Sequence, residues 1–428
     1  MTIILDEPNG FSGGRAAEEE ARMFGFERRR DARGMRLHGA VTGSLTAVLL
    51  LALAVLGPAC GEKAPAPAGF DREVIDQLDQ AVREAMEKDG IPGIIAGARV
   101  PGRGEWTTAM GLADRETGEG LETTDLMRIG SVTKSFTATL VLELVDEGGI
   151  GLDDPLSAYL PDVPNAGNIT VRMLLNHTSG IVDDYAQPAF MDIAAADPLY
   201  RWRPEELVAA SMGADASAVL GETYNYSNTN YVLLGMIVER VTGMELAAAM
   251  ERYIFEPLGL SETVFADGPE IAGRHSHSYI MAEGEMYDMT SGIDPSITWA
   301  AGAVISTLED LEEWTEALAT GRLLDEATHA EQLTFVDCPG YEGAGVGYEY
   351  GLGVLKIADF LGHNGEFSGF QASAFYLPSR EAVIVVLFNC NNNQTGTQDL
   401  FARIAAILFP DEVPEAWRDA GGLAPSAQ

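Results

Sequence analysis

A chain of 428 residues with 46% hydrophobic and 21% charged residues is long enough to bury a large core, and it has the composition of neither a disordered segment nor a polytopic membrane protein. Its formal charge of −38 repels a phosphate backbone at every approach, which argues against nucleic acid as a partner. The three cysteines, Cys60, Cys338 and Cys390, lack zinc-type spacing, so no metal is expected, and Cys338 and Cys390 read either as a disulfide or as two free thiols.

Residues 1–60 read as an N-terminal extension and export signal. Arg28, Arg29, Arg30, Arg33 and Arg36 precede an uncharged apolar run from Val41 to Leu56, and Gly57, Pro58, Ala59 and Cys60 follow it. Cys60 after small residues resembles a bacterial lipobox, whose cysteine is lipidated, although Gly57 stands where an apolar residue is usual; an uncleaved membrane anchor is the alternative. Met35 opens a segment that is a complete signal on its own, so residues 1–34 are set aside. Gly10-Phe11-Ser12-Gly13-Gly14 fits the G-x-S-x-G pattern but lacks the strand before it and the helix after it that a nucleophile elbow needs. Residues 61–69 form a Pro/Ala linker. The chain is therefore expected outside the cytoplasm, periplasmic or extracellular, touching a membrane only through its N-terminal anchor.

A catalytic domain is expected over 70–412. Apolar residues at helical spacing predict a helix from Phe70 to Lys88, and two short strands, Gly93–Val100 and Glu105–Leu112, form a hairpin around Pro101-Gly102-Arg103-Gly104. A long buried helix runs from about Ser131 to Glu147 and stops at Gly148-Gly149. Residues 151–300 read as a mainly helical insertion, with helices at Pro204–Met212, Tyr231–Thr242 and Glu245–Ile254. Strands return at Gly351–Ile357, Gln371–Tyr376 and Ala382–Cys390, before a last helix at Gln398–Leu408 and a tail over 413–428. Tight turns between consecutive strands predict an α/β (α+β) fold: an antiparallel sheet, from 70–150 and 301–412, flanked by the first and last helices.

Ser131-Val132-Thr133-Lys134 places a hydroxyl and an amine one helical turn apart on one face. A serine hydroxyl is a poor nucleophile until a neighbouring base takes its proton, and lysine is that base only where its surroundings lower its pKa. Taken alone, a serine capping a helix with a surface lysine is the commoner occurrence. Only Lys63, Lys88, Lys134 and Lys356 are lysines in an arginine-rich chain, and arginine cannot give up its proton. Tyr226-Ser227-Asn228 sits on an expected turn, where the phenol can act as acid or base and the amide can hold a substrate and the lysine; packing and turn formation are the bland alternatives. His363-Asn364-Gly365 lies at the start of an expected strand. Gly365 lets a substrate approach the backbone, the N–H groups of Glu366 and Ser131 form a candidate oxyanion hole, and His363 is either part of this site or a surface residue. His275-Ser276-His277 has no companion ligand at metal spacing and reads as a loop.

S-x-x-K, Y-x-N and H-x-G in this order resemble the three motifs of the serine β-lactamase and penicillin-recognising enzyme superfamily. Arg128 to Phe136, Leu175-Asn176-His177-Thr178-Ser179-Gly180, Tyr226 to Tyr231, Ala301 to Thr307 and Tyr350-Gly351-Leu352-Gly353 are similar to its class C branch, and the likeness runs from about Phe70 to Leu408. The H-x-G form and the neighbourhood of Trp299 resemble secreted D-alanyl-D-alanine carboxypeptidases most. The resemblance implies a serine hydrolase that forms an acyl-enzyme on an amide or ester, carboxypeptidase-like or a related peptidase or β-lactamase. An esterase of the same fold, or a penicillin or cell-wall-peptide sensor that does not turn over, is the alternative. It implies Ser131 as nucleophile, Lys134 as its base partner, Tyr226 as acid/base, Asn228 as a substrate and lysine contact, His363 as an electrostatic aid to Tyr226, and Trp299 and Gly365 beside the substrate. It implies no cofactor, a small-molecule or peptide substrate, a monomer, and a structural role for His177 to Gly180. Two positions depart from the carboxypeptidases: Leu355 and Asn364 stand where an arginine and a threonine hold the substrate carboxylate, which puts that activity in doubt.

Overall fold

Every hydrophobic stretch from Gly93 to Val100 and from Phe370 to Phe388 alternates between two cores, which is how a sheet covered on both faces looks in sequence. The computed structural model describes residues 69–420, apart from 184, 186, 213–220, 222, 283 and 392–395. The export segment, Cys60 and the Gly10–Gly14 motif lie outside the described residues. Helix α1 (Arg72–Asp89) leads into strands β1 (Gly93–Val100), β2 (Gly104–Asp114) and the two-residue β3 (Glu119–Gly120). The later strands are β4 (Val336–Gly343), β5 (Val346–Tyr350), β6 (Leu355–Ile357), β7 (Phe360–Phe367), β8 (Phe370–Leu377) and β9 (Ala382–Phe388). They form one nine-stranded sheet in the order β3-β2-β1-β9-β8-β7-β6-β5-β4, with neighbours antiparallel throughout.

In β1, Ile94, Ala96 and Ala98 face one core and Ile95 the other; in β9, Ile384, Val386 and Phe388 oppose Val383, Val385 and Leu387. The first core is closed by α1 and a C-terminal helix, through Leu78, Val82, Phe401 and Ile404. The second lies under helices α2 (Thr133–Asp146), α3 (Asn228–Thr242) and α4 (Leu308–Thr320); α5 (Thr397–Leu408) is the C-terminal helix of the first. The antiparallel sheet flanked by helices agrees with the expected fold class.

Several boundaries differ from expectation. The hairpin β4–β5 was not anticipated, because Asp337, Pro339, Gly340, Glu342 and Gly343 carry no strand pattern; its pairing comes from the sheet edge it extends. The strand expected at Gly351 begins only at Leu355, since Gly351–Val354 forms a turn in which Gly353 has φ 78° and Gly351 N–H donates to Val354 O at 2.8 Å. Among the described residues the 151–300 segment contains α3 and shorter helices, such as Val171–Leu175, Pro188–Ala196, Pro204–Ser211 and Leu246–Met250, but also a hairpin of Tyr279–Ala282 with Glu285–Asp288. Beyond 412 the chain is not simply a tail: Val413 and Trp417 are buried, with the Trp417 ring against Phe360 and Phe401. Cys338 and Cys390 are separate buried thiols.

Candidate active site

The nucleophile motif sits on a tight backbone turn. Gly130 adopts φ 50° and opens a 3₁₀ turn, Gly130–Val132, that runs directly into α2. This turn is pressed against β7. A side chain at Gly130 would fall on the Glu366 backbone, and a Cβ at Gly365 would lie 2.7 Å from Ser131 N and 2.8 Å from Val132 N. Gly365 thus makes room for the nucleophile turn, a reason for the glycine in addition to the substrate approach expected.

Helix α2 begins with polar residues that are nevertheless buried, and partners for them come from the chain around it. Val304 N–H donates to Thr133 Oγ1, Ser135 accepts from the Trp314 indole, and Thr137 donates to Ala300 O. Lys134 is fully buried. Its Nζ donates to Ser131 Oγ at 2.9 Å, to Asn228 Oδ1 at 2.7 Å and to Ala301 O at 2.9 Å. One amine therefore ties together the nucleophile, the second motif and the segment before Val304.

Tyr226 stands on the other side of the amine, with its ring centroid 4.8 Å from Lys134 Nζ, and it is hydrogen-bonded to Ser131. Burial pushes its phenol well above the usual tyrosine range, so it is protonated at neutral pH. His177 fixes the segment that carries it. This residue has φ 60°, its carbonyl accepts from Asn225 N–H at 2.8 Å, and its Nδ1 accepts from Ser227 N–H at 3.2 Å. Its ring packs 4.4 Å from that of Tyr226, and burial with Lys134 nearby keeps it neutral. Asn228 is not on the turn expected but is the first residue of α3. Its Nδ2 donates to both carboxylate oxygens of Asp183, at 3.2 and 3.4 Å.

His363 lies in the middle of β7 rather than at a strand start, and it is buried, not on the surface. Its Nε2 is 2.9 Å from Tyr350 Oη, and its Nδ1 lies on Asn364 O, which makes Nδ1 the protonated nitrogen and Nε2 the acceptor. Burial lowers it to about 3 despite that carbonyl, so it carries no charge to lend Tyr226 electrostatic help. Trp299 also departs from expectation: it does not line the cavity but packs its ring over Gly235 of α3, where a Cβ would sit 2.8 Å from the indole. Its segment serves the site through the carbonyl of Ala301.

Ser131, Tyr226, Asn228, His363, Gly365 and Glu366 line one cavity of about 330 Å³. Its walls hold Tyr341, Tyr348 and Tyr350 of the β4–β5 hairpin together with Tyr224, Met191, Ile293 and Phe367. Asp183 lines it too and was not anticipated: it lies three residues past Gly180, and only its contact with Asn228, 45 residues away, gives it meaning. Among the described residues no His, Cys, Asp and Glu group has a metal-binding arrangement, and no helix is long and apolar enough to cross a membrane.

A serine and a tyrosine on the cavity wall joined by a buried lysine, between an antiparallel sheet and a helical layer, define the class of serine acyl-transfer folds. The chain belongs to the beta-lactamase family, whose model matches residues 78–409. It is 27% identical over 327 residues to penicillin-binding protein 4* of Bacillus subtilis (strain 168), covering 72% of this chain and 70% of that one. It is 31% identical over 241 residues to the esterase EstB of Burkholderia gladioli, covering 54% of this chain and 60% of that one. Its structure is similar to that of a D-stereospecific amidohydrolase from a Streptomyces species, with a TM-score of 0.69 and 35% identity over 78% of this chain and 98% of that one.

Proposed function

We propose that this protein hydrolyses small amides or esters through an acyl-enzyme at Ser131. The observation that carries the reading is the 2.9 Å contact of the buried Lys134 Nζ with Ser131 Oγ, held in place by Asn228 and Ala301. For this step Lys134 is the neutral amine: its two hydrogens stay on Asn228 Oδ1 and Ala301 O, and its lone pair takes the hydroxyl proton while Ser131 Oγ attacks the carbonyl carbon. Tyr226, kept protonated by burial, gives its proton to the leaving nitrogen or oxygen and regains one from Lys134, so the site returns to its starting protonation with the acyl group on Ser131. Water then attacks the ester and restores the serine. The N–H groups of Ser131 and Glu366 receive the negative oxygen, a role supported by the close approach of the two backbones at Gly130 and Gly365.

Among the described residues lining the cavity there is no lysine or arginine to hold a terminal carboxylate, and Leu355 is part of the wall. This favours an amidase or esterase over a carboxypeptidase, in keeping with the amidohydrolase and esterase relatives. Export, with lipid attachment at Cys60, belongs to the same proposal and rests on the leader pattern alone. The decisive experiment compares wild type with Ser131→Ala on p-nitrophenyl acetate and on amino-acid amides. Turnover should fall by ~10³-fold or more in the variant; near-normal turnover would sink the proposal.

A further inference from the structure

We propose that Asp183 receives the free ammonium group of the substrate, so that the preferred acyl donors are amino-acid or peptide amides and esters with an unblocked α-amine; this rests on the hydrolase reading above. The two ends of the Asn228 amide are both engaged within the protein, Oδ1 by Lys134 and Nδ2 by Asp183. The amide is therefore committed as a bridge, and the group that this corner turns towards the cavity is a carboxylate. A carboxylate accepts about four hydrogen bonds. Here Asp183 Oδ1 takes the Tyr185 N–H at 3.2 Å and the two oxygens share the Asn228 Nδ2, which leaves acceptor capacity facing the space beside the nucleophile.

The position suits an α-substituent. Lys134 Nζ lies 2.9 Å from Ser131 Oγ and 2.7 Å from Asn228 Oδ1, so Asp183 is linked to the attacking oxygen through one lysine nitrogen and one amide side chain. An acyl carbon on Ser131 Oγ carries its α-amine on the adjacent carbon, inside the cavity that Ser131, Asn228 and Asp183 line together. The charge of the pocket agrees: Asp183 and Glu366 line it, and no lysine or arginine occurs in the sequence from 173 to 200, from 204 to 239 or from 357 to 379. The nearest basic side chain on β6, Lys356, is directed to Glu349 at 2.5 Å. An ammonium is drawn to this wall, and a blocked amine lacks the charge that the carboxylate needs as partner. Met191, Ile293 and Phe367 leave the side chain of the amino acid an apolar surface.

The experiment measures kcat/KM of the full chain for phenylalanine amide, in both enantiomers, against 3-phenylpropanamide and N-acetylphenylalanine amide, with Ser131-dependent hydrolysis of p-nitrophenyl acetate as the separate readout of hydrolase chemistry. The free amine should be preferred by ~10- to 100-fold, the scale of a charge-assisted hydrogen bond. That preference should decline as pH rises through the amine's own pKa near 8. Asp183→Asn, which keeps an acceptor for Asn228, should reduce the ratio to about one, and Asp183→Glu should restore part of it. Ester turnover that depends on Ser131, together with equal use of free and blocked amines, would overturn this inference and leave the hydrolase reading standing. Absence of all turnover, with no labelling of Ser131 by a fluorophosphonate, would overturn both.

Discussion

Ser227 donates its backbone N–H to His177 Nδ1 at 3.2 Å, and Asn230 Nδ2 lies at the same distance from that nitrogen, so one neutral imidazole holds both sides of the turn into α3. Tyr226, next to Ser227, packs its ring against the same imidazole at a tilt of 34°. His177→Phe keeps the ring but leaves two buried donors without an acceptor, each at a cost of about 1–3 kcal/mol. The variant should melt several degrees lower by differential scanning calorimetry and lose at least ~10-fold in kcat, because the phenol is no longer fixed against Ser131. Unchanged kcat in the folded variant would mean that the Tyr226 turn holds itself.

Lys134→Arg tests whether the amine is needed as a proton carrier or only as a cation. Three oxygens converge on one nitrogen within 2.7–2.9 Å, a geometry for a point-like amine nitrogen and not for a planar guanidinium. Arginine also cannot accept the serine proton. Pre-steady-state acylation by a p-nitrophenyl ester should slow by ~10²- to 10⁴-fold, the range general-base removal usually spans; an intact burst would rule out Lys134 as base.

Local signals were legible and long-range ones were not. The S-x-x-K spacing locates Ser131 and Lys134 because both lie within one helical turn, and β1 ends where its apolar run ends. Asp183 has no such signal, since its place at the site is created by α3 bringing Asn228 to it. The surroundings of His363 are hidden for a related reason: the sequence leaves it either at the site or on the surface, and its burial under Tyr350 and beside Lys134, which keeps it neutral, is not revealed by its own strand. Trp299 is expected beside the substrate from family likeness alone, and nothing in its own segment reveals that Gly235 provides the slot that receives its ring.

Gly365→Ala should be damaging in a way that separates packing from chemistry. The added methyl would lie 2.7 Å from Ser131 N, against backbone and not a flexible side-chain end, so the nucleophile turn or β7 has to shift. Overpacking of this kind costs typically about 1–3 kcal/mol. Fluorophosphonate labelling of Ser131 should slow along with ester turnover, and the melting temperature should fall; an unaltered labelling rate would show that the two backbones need not be so close.

Cys60 lies outside the described residues, and its proposed lipidation is open to direct measurement. Expressed in a bacterium with an alkyne-tagged fatty acid, the chain should incorporate label and partition with membranes, and Cys60→Ala should lose the label. Retention in the membrane at full length and without label would favour an uncleaved anchor instead.

Glu312 supplies a pH-dependent element of stability far from the chemistry. It lies on α4 under β1, it is only 9% exposed, and its Oε1 has no hydrogen-bond partner among the described residues. Burial raises its carboxyl from 4.5 to about 7, with Glu105 and Glu309 adding to the rise and Arg99 opposing it. The folded chain therefore keeps a proton that the unfolded chain releases between these two values. The native state binds more protons in that window, so this group's contribution to stability is fully present below about pH 4.5, falls as pH rises towards 7 and is constant above. Glu312→Gln carries no such charge. The difference in unfolding free energy between variant and wild type, from urea titrations at pH 5 and pH 8, should therefore favour the variant more at pH 8, by up to about 3 kcal/mol. A difference that is the same at both pH values would show that Glu312 is solvated or paired when ionised, and that α4 tolerates its charge against the sheet.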